Sequence, residues 1–251
     1  LVALNLSRAK GMQVVLVTGR HHVATYPYYH QLELDLPALC CNGTYAYDYH
    51  ARSALFPNPL TKPQAHQTLE KIRNHGVHCL MYVDNAMTYE VREPHLDTLL
   101  AWADPLPTHV RPAITRVDQF ESIIDDVSVV WKFAISHPHP EELQAFIADI
   151  ESSLGLSCER TGHNRYDIAQ AGNSKGGLLK IWLNTQHIDP AEVIAFGDNH
   201  NDISMLEMAG LGIAMENSDD EVKARADLVI GDNNSNAIAQ TLRRYVLKSG
   251  Y

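Results

Sequence analysis

The sequence lacks a long apolar run and has fewer basic than acidic residues, and each deficit excludes a class of protein. No apolar stretch among its 251 residues reaches the roughly 20 residues that a membrane-spanning helix needs, and no signal-peptide pattern opens the chain. Twenty basic and 30 acidic residues give a formal net charge of −10, which argues against nucleic acid because phosphate backbones bind basic surfaces. We therefore expect neither a membrane nor a nucleic acid as partner.

Cysteine is also scarce, which argues against a disulfide framework. The four cysteines are Cys40, Cys41, Cys79 and Cys158. Their spacing fits no zinc-binding pattern, and the neighbours Cys40 and Cys41 are poor disulfide partners. We interpret all four as reduced thiols of a cytoplasmic protein. We interpret the 14 scattered histidines, including His21 and His22, as surface or loop residues.

Both ends of the chain alternate short apolar runs with helical patterns, which is typical of a doubly wound α/β fold. The runs that we predict as buried strands lie at residues 13–17, 38–41, 193–196, 212–215 and 228–230. A hairpin is predicted for residues 45–48 and 54–56. The expected result is a Rossmann-like parallel sheet built from residues 1–58 and 171–251, which we call the core segments.

The middle of the chain has a different rhythm. Pro57, Pro59 and Pro63 interrupt the first pattern. Over residues 59–170, strand-like runs are separated by helices in a way that predicts an antiparallel sheet with helices on one face. We therefore expect an inserted α+β domain at 59–170, joined to the core segments near residues 57–59 and 171–172.

Two polar segments follow predicted strands, at the edge where open parallel sheets bind ligands. Thr18, Gly19 and Arg20 follow the first strand, where a hydroxyl and a backbone amide can donate to phosphate oxygens. Asn42 and Gly43 follow the second strand, where glycine lets the backbone approach a ligand closely. Both segments can also be ordinary turns, and Asn-Gly is common in hairpins.

Two further segments bring charge to the same edge. Lys175 begins a predicted helix, where its charge and the helix dipole suit a phosphate; an exposed lysine there is otherwise a solvated charge. Residues 197–202, Gly-Asp-Asn-His-Asn-Asp, follow the strand at 193–196 and offer carboxylates that suit Mg²⁺. The same run can be an Asx-rich turn that caps a helix. The conjunction of all four segments favours the functional interpretation.

These segments resemble the motifs of the haloacid-dehalogenase superfamily of phosphohydrolases, in its Cof-type branch with a large α+β cap. Residues 14–20 look like the second motif, Lys175 like the third, and residues 197–202 like the fourth, in its GDxxND form. The resemblance covers essentially the whole chain and makes residues 59–170 the cap segment, which chooses the substrate. A closer likeness, at residues 17–24, 40–44 and 199–206, is to bacterial members that act on pyridoxal 5′-phosphate.

The resemblance implies a role for each matching residue. Asp198 is expected to bind Mg²⁺, with Asp202 bound to the metal or just behind it. Thr18 and Lys175 are expected to be catalytic and to hold phosphate oxygens. The other expected phosphate-binding residues are Gly19, Arg20, Asn42, Gly43 and Asn201. The implied reaction hydrolyses a small phosphorylated metabolite through an aspartyl-phosphate intermediate.

The family's first motif, Asp-x-Asp-Gly-Thr, does not occur in this sequence. It supplies the nucleophile and the acid–base aspartate on a central strand, and we expect it upstream of Leu1. Since neighbouring strands are about 4.8 Å apart, we expect residues 14–17 and 193–196 to lie about 10 Å apart with no ladder between them. No other aspartate is assigned either role.

Two alternative functions follow from the same residues. A sugar-phosphate phosphatase would carry the same core residues, because cap residues choose the substrate. A chain that is complete as given would lack the nucleophile and would bind a phosphorylated ligand without catalysis. Candidate substrate contacts in the cap segment are Tyr82, Asp84, Tyr89 and Trp131, although a core role is favoured for each. We expect a monomer or a weak homo-oligomer.

Overall fold

The computed structural model describes residues 1–247; the last four residues of the second core segment, 248–251, lie outside the described part. The helices are α1 Val2–Ala9, α2 His22–Gln31, α3 Lys62–His75, α4 Pro94–Ala103, α5 Phe120–Asp126, α6 Pro140–Leu154, α7 Lys175–Gln186, α8 Ile203–Met208, α9 Asp220–Ala224 and α10 Ala237–Leu242. The strands are β1 Ala38–Cys40, β2 Tyr45–Asp48, β3 Ser53–Leu55, β4 His78–Val83, β5 Ala86–Tyr89, β6 Ile114–Arg116, β7 Val130–Ser136, β8 Ser157–Gly162, β9 Arg165–Ala169, β10 Ile194–Gly197, β11 Leu211–Met215 and β12 Leu228–Ile230.

Local capping signals fix the ends of the longer helices. Thr61 caps α3 and forms a capping box with Gln64, and Gly76 ends that helix in the left-handed conformation at φ 62°. Ser174 caps α7, because its hydroxyl accepts the backbone N–H of Gly177. The sequence predicts these helices at residues 62–74 and 175–185, and the caps explain why those bounds agree with the observed ones within about a residue.

The second core segment forms a parallel sheet. Strands β10, β11 and β12 pair in that order, with Ile194 opposite Leu211 and Ile213 opposite Leu228. The connections carry α8 and α9, so each crossover contains a helix, as parallel neighbours require. Because the carboxyl end of β10 is Gly197, the loop at 198–202 lies at the edge where ligands bind in such sheets.

The first core segment departs in part from the prediction. Strands β1, β2 and β3 form an antiparallel meander, which includes the predicted hairpin. Residues 14–17, predicted as a buried strand, are half-buried, and only Val17 forms a parallel bridge, to Leu39. The reason is that this segment is paired along one edge only: within residues 1–247, no ladder joins it to β10. That lack of a ladder was expected, whereas the expected 10 Å separation stays a prediction.

Helix α7 joins the two core sheets through one apolar cluster. Its inner face lies against the first sheet at Leu39 and Ala46 and against the second at Ala195 and Ala214. The α7 residues of this cluster are Leu178, Leu179, Trp182 and Leu183. Since each fully buried side chain of this kind contributes about 1.5–3 kcal/mol, the cluster holds the two sheets in one body without a shared ladder.

The cap segment forms a six-stranded sheet in the order β6-β5-β4-β7-β9-β8, antiparallel except between β5 and β6. Helices α3, α5 and α6 pack on one face around Met81 and Phe133. The other face is turned towards the core segments. Its residues Leu80 and Trp131 belong to one apolar cluster together with Tyr45 of the first core segment. Helix α4 also packs on this second face through Leu96, so the prediction of helices on one face only is wrong for α4.

The two connections between the core and cap segments lie side by side. The Asn58 side chain donates to Asn173 Oδ1 at 2.8 Å, and the Asn173 side chain donates back to the Asn58 carbonyl at 3.1 Å. Leu60 adds an antiparallel bridge to Val130. This arrangement agrees with the expected crossings near residues 57–59 and 171–172. It supports the proposed division into a core domain and a cap domain.

The sequence patterns missed two short elements, β6 and α5, which follow the Pro-rich stretch at 105–112. Three residues of strand and seven of helix carry too little periodicity to be recognised. None of the helices formed by residues 1–247 is long and apolar enough to cross a lipid bilayer.

Candidate active site

The loop after β10 is built around the carboxylate of Asp202. Its Oδ2 accepts the backbone N–H groups of Asp198 at 2.9 Å and Asn199 at 3.1 Å. Gly197 is required for this turn, because a Cβ at that position would lie 2.5 Å from the Asp202 Cβ. Asp202 therefore folds the loop back on itself and presents the Asp198 side chain at the end of the strand.

Lys175 and Asp202 form a buried ion pair. The Lys175 ammonium donates to Asp202 Oδ1 at 2.6 Å and to Asn201 Oδ1 at 3.2 Å. Both charged side chains are less than 10% exposed. Lys175 is the first residue of α7, so the positive end of that helix adds to its charge. An ammonium has three N–H groups, and these two contacts leave one for a ligand.

Asn201 and Asn42 extend this cluster to the first core segment. The Asn201 amide donates to Asn42 Oδ1 at 3.0 Å, and the Asn42 amide donates to Asp167 Oδ2 at 2.8 Å. Asn42 adopts the left-handed conformation at φ 55° in the turn between β1 and β2. The predicted residues Lys175, Asn201, Asp202 and Asn42 are thus brought together, while Asp167 belongs to the cap segment.

Thr18 and Gly19 border the cluster. The Thr18 Oγ1 accepts the backbone N–H of Arg20 at 3.1 Å, which leaves the hydroxyl proton for a ligand. A Cβ at residue 19 would lie 2.6 Å from Asn42 Oδ1, so glycine is needed for the close approach of this loop to Asn42. The hydrogen bond from the Asn42 N–H to the Thr18 carbonyl, 3.1 Å, completes the contact.

Gly43 and Arg20 have structural contacts of their own. Gly43 has φ 88°, and a Cβ there would lie 2.0 Å from the Ser174 carbonyl oxygen, so packing against the start of α7 already requires glycine at this position. The Arg20 guanidinium lies over the rings of Tyr28 and Trp102, at 5.3 and 5.0 Å. Contact of either residue with a phosphate stays a prediction.

Asp198 has the chemistry of a Mg²⁺ ligand. Its side chain is exposed, and Oδ2 accepts an N–H of Asn217 at 3.2 Å. Mg²⁺ is commonly bound by one or two carboxylates together with water and substrate phosphate. Within residues 1–247, no group of three or more His, Cys, Asp or Glu side chains is arranged around a metal position. Asp198 as a carboxylate ligand fits this donor set. Asp202 Oδ2 already accepts two backbone N–H groups, and Oδ1 accepts Lys175 but keeps one lone pair, so its role as a metal ligand stays a prediction.

The histidines and cysteines near the cap boundary are structural. His21 and His22 are buried, contrary to the prediction of surface positions. Burial lowers the pKa of His22 to about 4, despite its hydrogen bond to Asn85. All four cysteines are free, and burial raises the pKa of the Cys41 thiol to about 12. A thiol of that pKa is not a nucleophile at neutral pH.

A cavity of about 380 Å³ opens beside the cluster. Its lining includes Asn42, Lys175 and Asn201 from the core segments and Glu159 from β8 of the cap segment. Burial raises the pKa of Glu159 above its ordinary value. Glu159 was missed in the sequence, because a lone glutamate on a strand carries no pattern that separates it from a solvated charge.

The four candidate substrate contacts of the cap segment have structural partners. Tyr82 and Trp131 are buried in the apolar cluster that contains Tyr45, and Tyr89 packs against it. The Asp84 carboxylate accepts the backbone N–H of Ser128 at 3.0 Å. Burial of Tyr82 and Trp131 agrees with the core role that the sequence favoured for them, whereas Tyr89 and Asp84 are only partly buried. Lys132 and Asp167, which the sequence did not reveal, are buried polar cap residues at the boundary.

A family model described as haloacid dehalogenase-like hydrolase matches residues 2–242. The chain belongs to the haloacid dehalogenase-like hydrolase family. Pyridoxal phosphate phosphatase YbhA of Escherichia coli strain K12, a relative, is 48% identical over 98% of this chain and 90% of that protein. The 5-amino-6-(5-phospho-D-ribitylamino)uracil phosphatase YitU of Bacillus subtilis strain 168 is 27% identical over 94% of this chain and 85% of that protein.

Solved structures of haloacid dehalogenase-like hydrolases share this fold. One from B. subtilis superposes with a TM-score of 0.84 at 20% identity, and the match covers 97% of this chain and 91% of that one. Another, from Bacteroides thetaiotaomicron, gives a TM-score of 0.81 at 22% identity over 96% and 89%. The predicted fold class, an α/β core with an inserted α+β segment, is therefore confirmed.

Proposed function

We propose that this protein is a phosphohydrolase that removes phosphate from a small phosphorylated metabolite, with pyridoxal 5′-phosphate as its preferred substrate and Mg²⁺ as cofactor. The observation that carries the proposal is the buried cluster of Lys175, Asp202 and Asn201 at the end of β10. Membership of a hydrolase family and 48% identity to a protein named as a pyridoxal phosphate phosphatase support it.

Lys175 is the main binding group for the transferred phosphate. Its amine is held in a fixed position by Asp202 and Asn201 and retains one N–H for a phosphate oxygen. A fixed positive charge at a helix N-terminus stabilises the charge that develops on a transferring phosphoryl group without reorganisation during the reaction. Asn201 orients the amine, and Asp202 pairs with its charge.

Thr18 and the turn at Asn42 complete the phosphate cradle. The Thr18 hydroxyl has its proton available, and Gly19 brings this loop against Asn42. A hydroxyl and an amide at neighbouring strand ends both suit phosphate oxygens. We keep Thr18, Gly19 and Asn42 as phosphate-site residues, and a phosphate contact by Gly43 or Arg20 stays a prediction.

Asp198 is the residue that would hold Mg²⁺, because its carboxylate is exposed at the strand end. When bound, the metal offsets the repulsion between an anionic nucleophile and the phosphate. Asp202 supports this site through the loop, since its carboxylate accepts two backbone N–H groups and Lys175. The remaining lone pair of Oδ1 keeps Asp202 available as a direct or water-mediated metal ligand. The family's first motif does not occur among the 251 residues, so the nucleophile is not assigned here.

The cap segment selects the substrate and shields the reaction. Its sheet lies against the core segments through the apolar cluster that joins Trp131 and Tyr45, whose rings are 4.0 Å apart. Exclusion of water strengthens the electrostatic contacts of the phosphate site. The free cysteines support the predicted cytoplasmic location, and the oligomeric state stays a prediction.

The experiment is release of inorganic phosphate by the full-length protein from a panel of phosphate esters with Mg²⁺. The panel contains pyridoxal 5′-phosphate, hexose phosphates and a ribityl phosphate. We expect the highest kcat/KM for pyridoxal 5′-phosphate. A higher kcat/KM for a hexose phosphate would contradict the proposed substrate but support the proposed phosphatase activity. If the protein binds phosphate esters but releases inorganic phosphate from none of them, the proposed enzyme activity is wrong and a non-catalytic binding protein is favoured.

A further inference from the structure

A second buried lysine–aspartate pair lies on the cap sheet. Lys132 of β7 and Asp167 of β9 are 2% and 5% exposed in their side chains, and Lys132 donates to Asp167 Oδ2. In the ladder between these strands Ala134 faces Asp167, so Lys132 is the diagonal neighbour of Asp167 on the same face. Burial alone lowers the pKa of Lys132, but Asp167 and Tyr82 raise it more, and the amine stays charged.

A bulge in β7 puts Trp131 on the same face as Lys132, towards the core segments. Tyr82 pairs with Lys132 and Val83 with Val130, so Trp131 is the extra residue. Regular alternation would put Trp131 and Lys132 on opposite faces, whereas the bulge lets both face the core segments. Trp131 packs against Tyr45, and Lys132 donates to the Gly19 carbonyl oxygen at 2.7 Å.

The pair is connected to Lys175 by an unbroken series of hydrogen bonds. Asp167 Oδ2 accepts from Asn42, Asn42 Oδ1 accepts from Asn201, and Asn201 Oδ1 accepts from Lys175. We call this series the Asp167–Lys175 relay. Lys132 lies at its cap end, and the Lys175–Asp202 ion pair lies at its core end.

The acceptor oxygen of Asp167, held in place by Lys132, fixes the direction of the relay. A carboxylate only accepts hydrogen bonds, so the Asn42 amide must turn its NH₂ group towards Asp167 and its oxygen towards Asn201. The Asn201 amide must then turn its NH₂ towards Asn42 and its oxygen towards Lys175. A flip of either amide would place two oxygens or two NH₂ groups against each other. Each amide therefore has one orientation that satisfies all of its neighbours.

We propose that Lys132 and Asp167 are positioning residues of the phosphate site: the cap pair orients Asn42 and Asn201, and through them the amine of Lys175, while Lys132 holds the Gly19 carbonyl. The core residues then adopt their full phosphate-binding arrangement only with the cap segment in contact. This inference rests on the proposed function, because it assigns a role in the same site.

The test is a double-mutant cycle between Asp167→Leu and Asn201→Ala. Asp167→Leu removes the acceptor while keeping a similar shape, and Asn201→Ala removes the link next to Lys175. We expect Asp167→Leu to lower kcat about 10- to 100-fold, as misplaced binding groups do, with less effect on KM. In the Asn201→Ala background the same change should lower kcat less than about threefold, because the link is already absent.

Asp167→Asn is the matched variant. One amide oxygen can still accept from both Lys132 and Asn42, so the relay keeps its direction, and we expect kcat within about threefold of the unaltered protein. Equal losses of kcat from Asp167→Leu in both backgrounds would overturn the proposal, because a purely structural role gives additive effects. Should Asp167→Leu fail to fold, Lys132→Met/Asp167→Leu removes the same acceptor without leaving a buried charge, and enters the same cycle.

Calorimetric measurement of inorganic phosphate binding distinguishes a failure of the relay from a failure of the proposed function. We expect Asp167→Leu to weaken phosphate binding about tenfold, and to weaken it much less in the Asn201→Ala background. If the full-length protein releases phosphate from no ester, the phosphatase assignment fails, yet this binding cycle still tests the relay. If the esters are hydrolysed and both cycles are additive, the relay alone is refuted.

Discussion

The molecule contains two buried Lys–Asp pairs of similar burial, one in the core segments and one in the cap segment. Lys175 and Asp202 are 8% and 7% exposed, and Lys132 and Asp167 are 2% and 5% exposed. The Asp202 carboxylate also accepts two backbone N–H groups, whereas Asp167 accepts one from a side chain, Asn42. The core aspartate is therefore held by its own loop, while the cap aspartate depends on its lysine.

This difference separates the two pairs in function. Removing Lys175 leaves Asp202 with two backbone partners, so the loop keeps most of its support and the main loss falls on the phosphate site. Removing Lys132 leaves a buried carboxylate with a single neutral partner, and the main loss falls on stability. Three variants test and sharpen this comparison.

The largest effect is expected for Lys132→Met, which keeps the length of the side chain but leaves Asp167 buried and unpaired. Loss of one partner of a buried ion pair costs about 3–5 kcal/mol, and urea denaturation measures it. The double variant Lys132→Met/Asp167→Leu should recover most of the free energy of unfolding, because no charge is then buried. A double variant less stable than Lys132→Met alone would show that the pair stabilises the cap segment in its own right.

Lys175→Ala should act mainly on turnover. Removal of a fixed charge-stabilising group costs about 10²–10³-fold in kcat, measured as phosphate release from pyridoxal 5′-phosphate. The matched control is Lys180→Ala, which removes an exposed lysine from the same helix and should leave kcat unchanged. Extra Mg²⁺ should not restore the Lys175→Ala variant; full restoration would mean that Lys175 has no direct role at the phosphate.

The boundary between core and cap should weaken in acid. His22 is buried, contacts Tyr45 and Asn85, and has its pKa lowered to about 4 by burial. The unfolded chain, with a pKa near 6.5, takes up the proton first. Stability is therefore intact above about pH 6.5 and falls by about 3 kcal/mol as the pH drops towards 4. Urea denaturation at about pH 6.5 and about pH 4 measures this change in the free energy of unfolding. The change should be smaller for His22→Gln and unaltered for the control His50→Gln, which replaces an exposed histidine. The same change in His22→Gln as in the unaltered protein would contradict this prediction.

The sequence singled out both members of the core pair as site residues, although not the ion pair between them, because short-range signals mark each one. Lys175 follows the helix cap Ser174, and Asp202 follows an apolar strand in a compact Asx-rich run. Their meeting follows from parallel-sheet geometry, which brings strand ends and helix starts to one edge. The same short-range signals placed α3, α7 and β10 within about one residue of their observed bounds.

The cap pair could not be predicted because its position depends on contacts between distant strands. The bulge at Trp131 puts that residue and Lys132 on the same face, and nothing in the sequence around it signals that bulge. Alternation alone gives Lys132 and Trp131 opposite faces. His21 and His22 were placed at the surface for a similar reason, since it is the packing of the cap segment that buries them.

The measurement that tests the central claim most directly is phosphate release from pyridoxal 5′-phosphate by the full-length protein and by Asp198→Asn, across a titration of Mg²⁺. Loss of a group that only supports a metal ligand already costs about 10–100-fold, so loss of the ligand itself should lower kcat by more than about 100-fold with the fold intact by circular dichroism. The unaltered protein should require Mg²⁺ for turnover. Turnover by Asp198→Asn near that of the unaltered protein at the same Mg²⁺ concentration would contradict the account.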